Sequence, residues 1–226
     1  MGKYLKKAFI RTLPVLAGYV FLGFAFGLLM RTKGFSVWIP VVMSILIYSG
    51  ALEFAAVPML TEAFDPFGAF IIGITLSARH LFYGIPMLKK YSGTGLSKLF
   101  LIFGLTDETF SLLSASEVPE GLEPKPWYIS VTAFNFSYWV GGSTLGAVAG
   151  GFIRFGADGL DFALTALFVV LFLEQLGSRE GKISGFLGLL ASAAVLALFG
   201  SRYFVLISMG AILVLLIAGK KVIGRD

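Results

Sequence analysis

An all-α, polytopic membrane protein is the fold class this sequence predicts, and three observations predict it. Hydrophobic residues make up 57% of the 226-residue chain and charged residues only 14%, with a mean hydropathy of +0.88. A soluble domain carries about 25% charge and about half apolar residues at most. The apolar excess recurs along the whole length in runs long enough to cross a bilayer, so most of the chain has lipid as its solvent. The net charge of +5 comes mainly from the two ends, Lys3, Lys6, Lys7 and Arg11 before the first run and Lys220, Lys221 and Arg225 after the last. Such clusters read as topology anchors, not as a nucleic-acid surface.

Crossing the hydrocarbon takes about 20 mostly apolar helical residues. The candidates are 13–30, 37–60, 67–88, 127–153, 162–176, 183–201 and 203–219, and an eighth apolar segment, 96–115, carries Lys98, Asp107 and Glu108. The sequence therefore predicts seven to eight membrane segments in one permease domain, 1–226. The first run ends at Arg31-Thr32-Lys33 with no small-x-small cleavage site, which makes it a retained span and not a secretory signal. Connections are short except for the proline-rich 116–126 link, which divides the chain into halves 13–115 and 127–219. Eight spans with both termini inside, or seven with the N-terminus outside, satisfy the positive-inside rule, and both place the C-terminus in the cytoplasm. "GFAFGLLMRTKGFS" at 23–36 and "GAVAGGFIRFGADG" at 146–159 form a weak internal repeat, of the kind transporters contain. Two glycine-rich membrane hairpins would also look alike without common origin.

Ionisable side chains at membrane depth are costly and mark function. Six qualify: Glu53, Arg79, His80, Asp107, Glu108 and Glu174. Arg79 cannot shed its charge and lies about 18 Å into its run at 1.5 Å per residue, too deep to snorkel. It is expected to face the bundle interior and to pair with Glu53 or Asp107, a salt bridge that could also serve helix locking alone. His80 can stay neutral and bond a neighbouring helix. Glu174, near the end of its run, also fits an interfacial position, and with Asn135 it is a secondary candidate. Glu53 follows Ser49 and Gly50 and precedes Pro58, so the helix is expected to break near Ser49-Gly50. Thr106, Asp107 and Glu108 interrupt the next apolar run, where Thr106 would cap a half-helix with both acids in its first turn. A further break is expected at Gly84-Pro86. Gly23 and Gly27, with Gly142, Gly146 and Gly150, have the spacing for close helix packing, internal or against a partner helix.

Enzyme signatures are missing. A single histidine and no cysteine cannot build the usual zinc sets, and there is no HExxH, G-x-S-x-G or Walker A sequence. No cofactor, metal or ATPase role follows from the residues. A secondary transporter with its polar centre where broken helices meet is the leading reading. A channel or non-transporting scaffold is the alternative, and a channel would be expected to repeat its polar ring by oligomerising.

The ordered set "LPVLAGYVFLGFAFGLL", "YSGALEFAA", "ARHLFYG", "LTDETF" and "GLDFALTALF", covering roughly 13–175, resembles the AzlC family of bacterial branched-chain amino acid exporters. The resemblance implies an inner-membrane permease that works with a small AzlD-type membrane protein and moves leucine, isoleucine, valine or analogues outward. That family commonly has Gln where this chain has Glu53. The carboxylate is then either a fixed partner or a proton carrier, and the family's Gln favours the fixed role.

Overall fold

The computed structural model describes residues 2–61, 65–77, 79–114, 117–152, 169, 172–173, 176, 179–200, 204, 207–208, 210–212 and 214–215. All regular structure among them is helical. The chain forms two compact units, Met1–Phe155 and Gly156–Asp226. The first holds α1 (Gly2–Thr32), α2 (Trp38–Leu46), α3 (Gly50–Thr61), α4 (Pro66–Ser77), α5 (Arg79–Lys90), α6 (Ser97–Phe103), α7 (Asp107–Ser114) and α8 (Pro124–Ala149), and the second holds α9 (Arg179–Phe199). Among the described residues two helices, Gly2–Thr32 and the Lys182–Phe199 portion of α9, are by length and composition apolar enough to cross a membrane unbroken. The 162–176 and 203–219 runs fall largely outside the described residues.

α1 and α8 form a parallel pair at the heart of the first unit. Near their starts, the Tyr4 hydroxyl accepts a hydrogen bond from the Glu123 amide at 3.3 Å. Midway, Tyr19 and Trp139 meet edge to face at 5.7 Å. At the far end Gly150 lies against the Arg31 side chain. Glycine makes the approach possible. A Cβ on Gly23 would lie 2.8 Å from the Ser143 amide nitrogen, and one on Gly142 would lie 2.7 Å from the Val20 carbonyl. A Cβ on Gly27 or Gly146 would collide with the Ser143 and Phe24 carbonyl oxygens. α1 begins well before the apolar run expected at 13–30, because its basic first turns have a partner of their own. Lys3 Nζ and Lys7 Nζ donate to the Gly121 and Glu120 carbonyls at 3.0 and 3.4 Å, which fastens the 116–126 link to the start of α1.

Between these two spans the chain is interrupted twice. α2 ends at Leu46 with Ile47 as its C-cap, Tyr48 takes φ 47°, and α3 restarts at Gly50. A left-handed tyrosine is uncommon, and its ring is held by burial against Val15, Tyr19, Tyr138 and Trp139. α3 then heads back toward the C-terminal half of α1, with Phe54 against Phe26 at 5.6 Å. The second interruption, Gly104-Leu105-Thr106, divides α6 from α7. α7 runs in the same sense as α5: Tyr83 stacks on Phe110 at 4.7 Å, and Lys90 Nζ caps the α7 carbonyls of Leu113 and Ser114, the latter at 3.2 Å. Since α5 and α7 end together, α6 must carry the chain back inward. The 96–115 segment is thus a folded-back pair of short helices and not a straight span. The 37–60 segment follows the same plan from the opposite end of α1.

The expected break at Gly84-Pro86 is absent: α5 is helical through both residues. Pro86 removes one backbone bond, but the turn beyond it buries Met87 and Tyr91 in the cluster with Leu101, Leu113 and Trp127, which outweighs that loss. Pro14 and Pro58 are likewise carried inside α1 and α3. α4 buries none of its residues and leaves Phe67 and Phe70 exposed, as a helix bathed by lipid does.

Candidate functional site

Both interruptions end against α8, and there the first unit concentrates its buried polar atoms. Glu53 is 0% exposed. Its Oε1 accepts the Trp139 indole N–H at 2.9 Å and the Ser49 amide at 3.1 Å, so the side chain reaches back to the start of its own helix. Gly50 is required here because a Cβ would lie 2.7 Å from the Trp139 ring. Glu53 Oε2 is buried and has no hydrogen-bond partner.

The second interruption is capped from within. Thr106 Oγ1 accepts the Thr109 amide at 3.3 Å, and the Thr106 carbonyl accepts the first helical bond, from the Phe110 amide, at 2.8 Å. That is an N-cap, and Asp107 and Glu108 occupy the favourable first turn of α7. The Tyr19 hydroxyl lies 2.6 Å from both Thr106 Oγ1 and Glu108 Oε2. Thr109 Oγ1 lies 3.1 Å from Thr106 Oγ1 and accepts from Asn135 Nδ2 at 3.0 Å. The Tyr48 hydroxyl is buried beside Tyr19 and Thr109, in the same region as Glu108 and Glu53. Tyr48 touches the Phe103 ring at 5.9 Å, and both rings pack on Phe136, so the two interruptions meet there.

The structure therefore brings Ser49, Gly50, Glu53, Thr106, Glu108 and Asn135 to one region, with Asp107 at its edge. His80 is placed elsewhere. Half-buried on α5, it lies 3.2 Å from the Ser77 carbonyl, meets Tyr83 edge to face, and lines a cavity of about 140 Å³ with Gly84, Met87, Tyr91, Lys98 and Leu105. The Arg79 side chain and Glu174 lie outside the described residues, and so does the expected Arg79 pairing. No group of His, Asp and Glu suited to a metal occurs among the described residues.

Sequence reading missed Tyr19, Tyr48, Thr109 and Trp139. A signal existed for one of them: Asn135, Trp139 and Ser143 recur every four residues on the glycine-bearing face of α8, and all three are buried. Lone tyrosines in apolar runs carry no such mark.

A family model described as AzlC protein matches residues 14–153. The chain is 44% identical over 217 residues, 96% of its length and 85% of the relative's, to the Bacillus subtilis (strain 168) "Branched-chain amino acid transport protein AzlC". It is 35% identical to an "Uncharacterized membrane protein" of Helicobacter pylori (strain ATCC 700392 / 26695), covering 92% of this chain and 91% of that one. The Escherichia coli (strain K12) "Inner membrane protein YgaZ" is 31% identical over 73% of this chain and 69% of its own. No solved structure matches.

Proposed function

Because the chain belongs to the AzlC family, we propose that it is the large subunit of a secondary transporter that exports branched-chain amino acids across the bacterial inner membrane, together with a small AzlD-type membrane protein. The observation that carries this reading is the buried polar centre where two interrupted helices meet the α1–α8 pair. Broken helices at membrane depth are tolerated where their freed backbone lines a cavity or is buried in protein, and transporters place substrate there. A zwitterion needs acceptors for its ammonium group and donors for its carboxylate. Glu53 and Glu108 supply the first, and the N-termini of α3 and α7 supply the second. The surrounding Phe and Tyr rings suit an aliphatic side chain, with modest discrimination among Val, Leu and Ile, since one methylene is worth about 1–3 kcal/mol.

In this reading α1, α4 with α5, and α8 cross the bilayer, while α2–α3 and α6–α7 enter from opposite faces and return. α4 and α5, twelve residues each, together reach about 36 Å, enough for the hydrocarbon. Lys3, Lys6, Lys7, Arg11, Lys89, Lys90, Lys98 and Lys125 then share one face, and among the described residues only Arg31 and Lys33 of the remaining Lys and Arg in the first unit stand at the other. The positive-inside rule puts the crowded face, and the N-terminus, in the cytoplasm. Three further apolar runs after α8, at 162–176, 183–201 and 203–219, return the C-terminus to the same side.

The test is efflux from cells preloaded with labelled valine, leucine, isoleucine, methionine or lysine, with and without the co-expressed small protein. Export of the branched-chain set only when both are present is the expected result. Equal movement of lysine, or no efflux above background, would overturn the proposal.

A further inference from the structure

Because α5 does not break at Gly84-Pro86, Gly84 stands inside a helix with no turn to serve. It serves no close approach either, since a Cβ there would have nothing within 4 Å, unlike one on Gly27 or Gly146. Helical glycine is destabilising relative to alanine. What its missing side chain leaves is space, because Gly84 lies midway along the cavity of about 140 Å³ between α5 and α6. His80, Gly84 and Tyr91 share one face of α5, and Lys98, Ile102 and Leu105 recur at helical spacing along α6 and the interruption after it. From His80 to Tyr91 is roughly 16 Å at 1.5 Å per residue, so the cavity is a crevice that follows the helix pair. Its inner end, Leu105, immediately precedes Thr106, the cap that opens the polar centre. Its outer end, Tyr91 and Lys98, lies on the lysine-rich face, cytoplasmic in the reading above.

The polar groups along the crevice favour an anion. Among the described residues that line it there is no Asp or Glu, and the sequence has none between Asp65 and Asp107. Lys98 is half-buried, and among the described residues nothing pairs with its ammonium. Lys90, by contrast, is held by the Leu113 and Ser114 carbonyls. Tyr91 is 1% exposed and its hydroxyl is buried without a partner, a cost that an acceptor on a ligand removes. The deep end is polar too: His80 Nδ1 lies 3.2 Å from the Ser77 carbonyl, which can only accept, so its other ring nitrogen is left for a further contact. A lipid acyl chain is a poor match for such an end. A single water needs about 10–15 Å³, so the crevice has room for a small solute.

We propose that this crevice is the cytoplasmic loading site of the exporter, and that it recognises a branched-chain amino acid by its carboxylate and side chain alone. This rests on the transport reading above. Lys98 takes the carboxylate, the Tyr91 hydroxyl adds a donor, and Met87, Leu88 and Ile102 take the aliphatic chain. The carboxylates that suit the ammonium group, Glu53 and Glu108, belong to the centre beyond Thr106. Leucine without its amino group, 4-methylpentanoate, therefore fills the crevice as leucine does. Leucinamide, which keeps the ammonium group and loses the carboxylate, does not.

The experiment uses inside-out membrane vesicles carrying the full-length chain with the small protein. The chain has no cysteine of its own, so Gly84→Cys places one thiol in the crevice. A water-soluble maleimide is expected to label it, and the label is read on the isolated chain. Leucine and 4-methylpentanoate should slow labelling severalfold, leucinamide and lysine should not, and Lys98→Gln should abolish the protection while labelling persists. In leucine uptake by the same vesicles, Lys98→Gln should raise KM about tenfold, the worth of one charge-assisted bond, with Vmax little changed. Gly84→Leu, which fills the crevice without meeting backbone, should also raise KM. Absence of labelling would mean a dry, lipid-filled crevice and would overturn the proposal. Protection by leucinamide equal to that by leucine would do the same, as would wild-type KM in both Lys98→Gln and Gly84→Leu. Uptake without protection defeats this site alone. Protection without uptake keeps the site and defeats the transport reading.

Discussion

Glu53 is sealed from solvent, yet one of its oxygens already serves two donors, and that division of labour predicts how it responds to substitution. Glutamine keeps Oε1, so the Trp139 and Ser49 bonds at 2.9 and 3.1 Å survive and a buried charge is removed. Leucine leaves both N–H groups buried and unpaired, at about 1–3 kcal/mol each. Thermal unfolding in detergent should place Glu53→Gln at or above the wild type and Glu53→Leu well below it. Adding Trp139→Phe should cost less in the Leu background than in the wild type. Equal stability of the Gln and Leu variants would show that Oε1 holds nothing in place. This is the behaviour of a fixed acceptor, the role that the Gln of the resembled family favoured. The carboxylates were legible in the sequence because charge in an apolar run stands out. Their partners were not, since Tyr19 and Trp139 lie 89 and 86 residues away along the chain and look like ordinary packing residues.

At the scale of elements, glycine and the interruptions decide the architecture. Gly27 and Gly146 press on backbone oxygens of the opposite helix, which cannot yield, whereas Gly18 and Gly141 on the same two helices have nothing within 4 Å of a Cβ. Alanine should therefore separate them by sign. Gly27→Ala and Gly146→Ala are expected to destabilise by about 1–3 kcal/mol through forced separation of α1 and α8. Gly18→Ala and Gly141→Ala should be neutral or stabilising by about 0.5–1 kcal/mol from helix propensity. Thermal shifts of the four single variants check this, and a loss at Gly18 equal to that at Gly27 would contradict it. Where helices break was readable at Ser49-Gly50 and at Thr106, because a small residue or a capping hydroxyl is followed by an acid in the first turn. It was misread at Gly84-Pro86, where glycine and proline gave the same signal but the following turn has its own buried anchors in Met87 and Tyr91. Punctuation in a sequence marks where a helix can stop, and packing beyond that point decides whether it does.

The first unit as a whole repeats one plan in opposite senses. α1 leads into the folded-back α2–α3, and α4 with α5, running the other way, leads into the folded-back α6–α7. The two interruptions meet at Tyr48, Phe103 and Phe136, so each face of the bilayer would contribute one hairpin to the same centre. This plan could not be read from the sequence, because an apolar run of span length looks the same whether it crosses or turns back. It does alter what a labelling experiment should find. In a straight-through arrangement Asp65 and Ser92 lie on opposite faces from those assigned here. In the folded-back arrangement Ser36 and Asp65 both face outward, and Ser92 and Glu120 both face the cytoplasm with the N-terminal lysines. The chain has no cysteine, so single-cysteine variants need no background removed. On intact cells a membrane-impermeant maleimide should label Ser36→Cys and Asp65→Cys, and reach Ser92→Cys and Glu120→Cys only after permeabilisation. Labelling of Ser92→Cys from outside would mean that α5 ends on the far face. The Lys90 cap on α7 would then stand opposite the N-terminal lysines, and the folded-back arrangement could not hold.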